Sequence, residues 1–257
     1  MDFFDPAGDS LVTPKEMVKN LTQKGLGEEA LQVEACVLIS VMPHDVRALA
    51  GMLRGELLEP WKGYREVYRG YLGEGRATLA LCPVGAPSAV ALAEELASFG
   101  MQKAVFLGYC GSLQHRVRVG DVVIPTEAIR EEGTSHHYLP SGVPSQPHRE
   151  IQTAITDVLQ RNRVPAHHGK IWTTDAIYRE TRGKVKTYQE EGVLAIEMEL
   201  SALFAFGIAQ GVKVGGLLVV SDELSEGRWH PRFASPRLIS GVKRARKLAV
   251  EILREIL

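Results

Sequence analysis

The sequence predicts a single α/β domain, on three observations. Short apolar runs rich in β-branched residues alternate with segments of helical period, as strands and helices taken in turn would. Two helical segments halt at a glycine, Gly100 and Gly211, where left-handed geometry ends a helix at low cost. No stretch rich in Gly, Ser or Pro divides the 257 residues, and no internal repeat is visible.

The elements follow in order. Residues 36–41 and 77–82 read as buried strands, being short and β-branched. A helix is expected over 88–99, with Val90, Leu92, Ala93, Leu96 and Ala97 on its apolar side. Strands are expected at 104–107 and 122–124. Residues 134–147 hold three prolines and one glycine and read as one long surface loop, a kind of segment that often carries function. A helix over 148–162 repeats Ile151, Ile155, Val158 and Leu159. Strands at 170–173 and 193–196 lead to a helix over 200–210 so apolar that it must be buried. Strand 214–220 comes next. The last helix opens with Ser235 as N-cap and Pro236 in the first turn. It sets Leu238, Val242, Ala245, Ala249, Ile252 and Ile256 on one core-facing stripe.

Composition narrows the function classes. A chain 45% hydrophobic and 24% charged can bury a full core. A formal net charge of −1 gives no electrostatic reason for nucleic acid or an anionic membrane as partner. No apolar run approaches the roughly 18 to 20 residues of a membrane span. The opening Met1, Asp2, Phe3, Phe4 and Asp5 are acidic and lack a signal pattern, so a cytoplasmic protein is expected. Cys36, Cys82 and Cys110 show neither metal nor redox spacing and read as small buried hydrophobes. Cys110 is the exception, because it sits in a Gly-rich stretch.

Four constellations carry candidate chemistry. In Gly108-Tyr109-Cys110-Gly111 an apolar strand runs into two glycines, either as a plain tight turn or as backbone N–H groups presented to an anion or sugar. In Glu197-Met198-Glu199 two acids flank a methionine at a greasy strand-to-helix junction. They read either as caps at the helix N-terminus or as a carboxylate gripping vicinal sugar hydroxyls, with Met198 against the ring. A fully apolar strand ends abruptly in Ser221-Asp222-Glu223, where α/β sheets gather ligands. Asp222 is there a candidate general acid or a local turn residue. The fourth spans 173–182: Tyr178 and Arg182 read as base-stacking and base-binding groups, or as a solvated helix start. His136 and His137 lack a third ligand at metal spacing, and His167 and His168 read as loop or strand-start residues. Arg228, Trp229 and His230 lie where a lid would.

Together and in this order, these stretches resemble the nucleoside phosphorylase family, which includes purine nucleoside phosphorylase, uridine phosphorylase and the nucleosidases for methylthioadenosine and adenosylhomocysteine. The resemblance covers 35–257 and is strongest at 107–124, Glu197-Met198-Glu199 and Ser221-Asp222. Residues 130–138 and the turn at 84–88 are also similar. It implies one domain over 1–257, with a mixed, barrel-like central sheet wrapped by helices and 1–34 as an extension packed on it. It also implies a homo-oligomer, a dimer or a trimer of dimers, with no cofactor and no metal. By carry-over Glu199 binds the ribose hydroxyls, with Met198, Glu197 and Ser221 beside it and Cys110, Gly111, Tyr178 and Arg182 as further substrate contacts. Asp222 becomes the acid that protonates a leaving purine. Arg47, Gly108 and Tyr109 fall in the phosphate positions.

The implied reaction is phosphorolysis of a purine nucleoside, with inorganic phosphate as co-substrate. The chain departs from the family where phosphate is held. Phe106 stands where an Arg is usual, Tyr109 where a Ser or Thr is usual, and Pro43 or His44 where a Gly is usual. A phosphate dianion needs charge-assisted donors, and Lys62 or Arg65 are the cations available to compensate. No His precedes His44 to reach a neighbour's sugar, and Ile177 replaces a usual aromatic. Hydrolysis by water and noncatalytic nucleoside binding stand as the alternatives.

Overall fold

Strands run further along this chain than its apolar runs alone indicate. The computed structural model describes residues 3–5, 10–22 and 27–257. The readings of the first residues and of part of the 1–34 extension fall on 1, 2, 6–9 and 23–26, outside the described residues. The strands are β1 (Cys36–Ser40), β2 (Glu56–Leu57), β3 (Val67–Leu72), β4 (Gly75–Leu81), β5 (Lys103–Ser112), β6 (Val122–Glu131), β7 (Ala166–Thr174), β8 (Ala195–Glu197), β9 (Lys213–Glu223) and β10 (His230–Pro231). The helices are α1 (Pro14–Leu21), α2 (Pro43–Met52), α3 (Ala86–Ser98), α4 (Arg149–Arg161), α5 (Arg182–Glu190), α6 (Leu200–Gln210) and α7 (Pro236–Ile256).

The strands form one mixed sheet in the order β10-β9-β6-β7-β8-β5-β1-β4-β3-β2, and β9 also pairs with β5. That extra pairing closes β5, β9, β6, β7 and β8 into a barrel, while β1 to β4 continue as an open sheet from β5. The single α/β domain with a barrel-like mixed sheet is therefore present. β5 is the shared strand: its first half lies between parallel β1 and β9, and its far end pairs antiparallel with β8.

The reading of 108–111 as a tight turn is corrected: both glycines lie inside continuous β5. What requires glycine is space. A Cβ at Gly108 would meet the Phe106 ring at 2.4 Å, and one at Gly111 would meet Leu224 at 2.6 Å and the Asp222 carboxylate at 2.9 Å. β6 extends well past the expected 122–124, to Glu131, and its register against β7 shifts between Pro125 and Glu127, a bulge that accommodates the proline. His167 and His168 open β7, and His167 Nε2 lies 3.0 Å from Asp121 Oδ2.

The helices obey local chemistry. Ser235 accepts the Arg237 N–H at the start of α7, and its stripe from Leu238 to Ile256 is buried. α6 is buried from Leu200 to Gly207, leaves Ile208 to Gln210 exposed, and ends at left-handed Gly211. The segment 134–147 is more than a surface loop. It begins with a 3₁₀ turn at Thr134–His137, and Ser135 and Ser145 are fully buried. The Arg130 guanidinium organises it by donating to the carbonyls of Ser135, Leu139, Pro140 and Val143. On the N-terminal side, Val18 of α1 is buried and α1 lies against α3. Among the described residues no helix is long and apolar enough to cross a membrane.

Candidate functional site

The strand ends bring the acids of the sequence together. In the antiparallel β5–β8 pair Gly111 faces Ile196, so Glu197 emerges beside Cys110. On the other flank, a bulge between Cys110 and Gly111 sets Gly111 opposite Asp222 of β9. Glu197 and Asp222 thus leave the strands on either side of one segment of β5, about two strand spacings or ~10 Å apart. The Cys110 thiol between them is pushed far up by its burial, and further by the charges of Asp222 and Glu197.

The two glutamates divide the readings the sequence left open. Glu197 is the cap: its Oε2 accepts the N–H groups of Glu199 and Leu200 at 2.7 and 2.8 Å, and its Oε1 accepts the Thr173 hydroxyl. Those are orphan donors of the α6 N-terminus. Glu199 is the N-cap residue by position, yet its side chain makes no cap. It reaches instead to the β4–α3 turn, where Oε1 accepts the Gly85 N–H at 2.7 Å. Gly85 has φ 102°, a conformation that favours glycine, so this donor is aimed by the turn itself. Both carboxyls are pushed up, chiefly by burial, and that of Glu197 further by the charge of Glu199. A buried carboxylate with one donor satisfied retains acceptor capacity for hydroxyls. Met198 is half-buried between the two acids.

Asp222 is held at both oxygens. Ser221 Oγ donates to Oδ1 at 2.6 Å, and Trp229 Nε1 donates to Oδ2 at 2.9 Å. Sequence reasoning placed Trp229 only in a lid-like region and did not connect it to Asp222. It also missed Glu180, half-buried in the turn after β7, whose carboxyl is pushed up to about 7 by burial and secondarily by Asp222. Tyr178, nearby in sequence, is 97% exposed, and Arg182 is an exposed first-turn residue of α5.

The phosphate positions are arranged differently. Asp45, in the first turn of α2, is fully buried. Its Oδ2 accepts the Tyr109 hydroxyl at 2.6 Å, and its Oδ1 takes Arg246 of α7 through Nε at 2.6 Å and Nη2 at 2.5 Å. His44 Nε2 stands 3.5 Å from both the Tyr109 hydroxyl and Asp45 Oδ1. Arg47 lies on the opposite side of α2, since two residues turn a helix by about 200°. Its side chain is exposed and 3.8 Å from Glu66. It lines a groove of about 460 Å³ with Lys62, Tyr64 and Arg65. Arg65 is committed to Glu95 through two donors at 2.8 and 2.9 Å. Phe106 is a core residue, folded against Gly108. Asp45 and Arg246 were not singled out; 201 positions separate them, and no local pattern joins them.

Comparison with known proteins follows the same lines. A family model described as the phosphorylase superfamily matches residues 35–256. A guanosine phosphorylase of Halorubrum lacusprofundi is 33% identical over 172 residues, 67% of this chain and 71% of the relative. A uridine phosphorylase of Escherichia coli is 26% identical, covering 74% of this chain and 81% of its own. Among solved structures, a purine nucleoside phosphorylase from Toxoplasma gondii in complex with immucillin-H superposes with TM-score 0.81 over 88% of this chain and 93% of that one. At 23% identity that likeness concerns the fold.

Proposed function

The chain belongs to the phosphorylase superfamily, and from that premise we propose that it cleaves the N-glycosidic bond of a purine nucleoside with inorganic phosphate, giving free base and pentose 1-phosphate. The observation that carries the reading is that Glu197 and Asp222 leave the strands on either side of Cys110 and Gly111, with Glu199 two residues beyond Glu197 and held on the Gly85 N–H. In this reading Glu199, steadied by Gly85, accepts the ribose hydroxyls, and Met198 packs on the sugar. The C1′–N9 bond breaks with its electron pair passing to the base. Asp222 gives its proton to a purine ring nitrogen and is left as a carboxylate, the neutral base departs, and a phosphate oxygen closes the bond to C1′. Protonation matters because the base otherwise departs as an anion; positioned acid catalysis contributes about 10²–10⁴-fold. Cys110, Gly111 and Ser221 are the other substrate contacts proposed at these strand ends. Arg47, Gly108 and Tyr109 are proposed on the phosphate side, with Lys62 in the groove of Arg47. Tyr178 and Arg182 are proposed contacts to the base. The working form is proposed to be a homo-oligomer, a dimer or a trimer of dimers, as membership of the superfamily suggests.

A second reading, hydrolysis, is favoured by the Asp45 network. A buried carboxylate behind the Tyr109 hydroxyl repels a dianion, and its cation, Arg246, is already paired. One assay tests both: a panel of purine and pyrimidine nucleosides, with and without phosphate, followed by release of free base. Release that requires phosphate supports phosphorolysis, and release without it supports hydrolysis. Release from pyrimidine nucleosides alone overturns the purine assignment. No release from any nucleoside overturns the enzymatic reading and favours noncatalytic nucleoside binding.

A further inference from the structure

Trp229 is placed by a short reversal of the chain. After β9 the chain turns through 224–229, with Gly227 at φ 71° and its N–H on the Leu224 carbonyl at 3.0 Å. It returns antiparallel as β10, so that His230 faces Glu223 and Pro231 faces Asp222. On the solvent side the reversal is fastened by Glu226, whose carboxylate lies 3.3 Å from Arg228 and 3.2 Å from His230. The result is an indole 58% exposed to solvent whose N–H nevertheless points at Asp222 Oδ2. Phe233, 61% exposed, lies with its ring centroid 6.0 Å from that of Trp229.

An exposed Trp in a folded chain is commonly a contact group with one apolar and one polar end. Here the polar end is fixed on the oxygen of Asp222 that Ser221 leaves over. An indole N–H donates and never accepts, so this contact orients the carboxyl without competing for its proton. Resting on the reading of Asp222 as the purine acid, we propose that Trp229 is a positioning residue for it. The indole N–H holds Oδ2 in place until the purine ring nitrogen takes over that oxygen. The released indole, with Phe233 beside it, then covers the face of the base.

The proposal has a spectroscopic handle, because the other two tryptophans, Trp61 and Trp172, are fully buried. Collisional quenching by acrylamide therefore reports on Trp229. Without any ligand, Asp222→Asn puts an NH2 donor where a carboxyl oxygen accepts, and Trp229 quenching should rise above that of wild type. With wild type, guanine and hypoxanthine should each reduce quenching as the indole closes on a base. In kinetics Trp229→Phe keeps a ring and removes the donor, at an exposed site that leaves the core intact. Its kcat for base release should fall about five- to tenfold, the scale of one hydrogen bond, with KM changed less than twofold. Wild-type kcat in Trp229→Phe, or quenching indifferent to both Asp222→Asn and base, overturns the role of Trp229 alone. Absence of turnover by the wild type on every nucleoside overturns the parent reading, and the role of Trp229 in the reaction with it.

Discussion

At the residue scale, Glu199 and Asp222 are set apart by what holds them. Glu199 is nearly enclosed and has the Gly85 N–H on one oxygen, whereas Asp222 is half-buried and held by two side-chain donors. Asp222→Asn keeps the shape and removes the transferable proton, so base release from purine nucleosides should fall by about 10²–10⁴-fold while nucleoside affinity changes little. Steady-state kinetics alongside equilibrium binding checks this, and wild-type rates would remove Asp222 from the mechanism. Glu199→Gln should weaken sugar engagement, and it carries a pH signature as well. Burial raises the Glu199 pKa above its unfolded value, to about 7. The folded chain therefore binds more protons than the unfolded one between about pH 4.5 and that value, and stability falls as pH rises through this window. The neutral glutamine lacks this loss. Its Tm relative to wild type should be higher at pH 8 than at pH 5, and a difference that does not grow with pH would show that Glu199 is not carrying a charge into the core. Glu197→Gln should cost stability at either pH, because its carboxylate serves three donors.

At the element scale, α7 does more than cover the sheet. Its polar side sends Arg246 to Asp45 at the start of α2, tying the C-terminal helix to the loop that follows β1. Arg246→Met leaves Asp45 buried without its cation and should cost about 3–5 kcal/mol in denaturant unfolding. Pairing it with Asp45→Asn should recover most of that loss, since the neutral amide tolerates burial better. A double variant no more stable than Arg246→Met would indicate that packing, not charge, is what Arg246 supplies. The elements themselves were largely legible. The capped start of α7, the apolar stripe of α4 and the nearly all-apolar α6 follow from local spacing. What misled was a signal that usually ends a strand, glycine at 108 and 111. In β5 the glycines are kept because Phe106, Leu224 and Asp222 fill the space a side chain needs, and those neighbours come from other strands or from across the pleat. Pro125 survives mid-strand because a bulge lies there.

At the scale of the whole molecule, closing β9 onto β5 converts an open sheet into a barrel and sets four chain segments around one strand end. The fold also buries every cysteine: Cys36, Cys82 and Cys110 are free and buried. Burial pushes all three thiols up, so native protein should react with a thiol reagent only as fast as it opens, and denatured protein should titrate three. Fast labelling of even one in the native state would contradict this enclosure. The sequence by itself determined the α/β class, the order of the main elements, the family and the two acids worth attention, because periodicity, caps and motifs are written over a few neighbouring residues. Only the tertiary structure decided that Glu197 caps α6 while Glu199 turns to Gly85, that Tyr109 and Arg246 share Asp45, and that Trp229 rests on Asp222. Each of those is a contact made when distant stretches are brought to one place, and the energy that selects it, donors satisfied and charges paired away from water, exists only once the chain has folded.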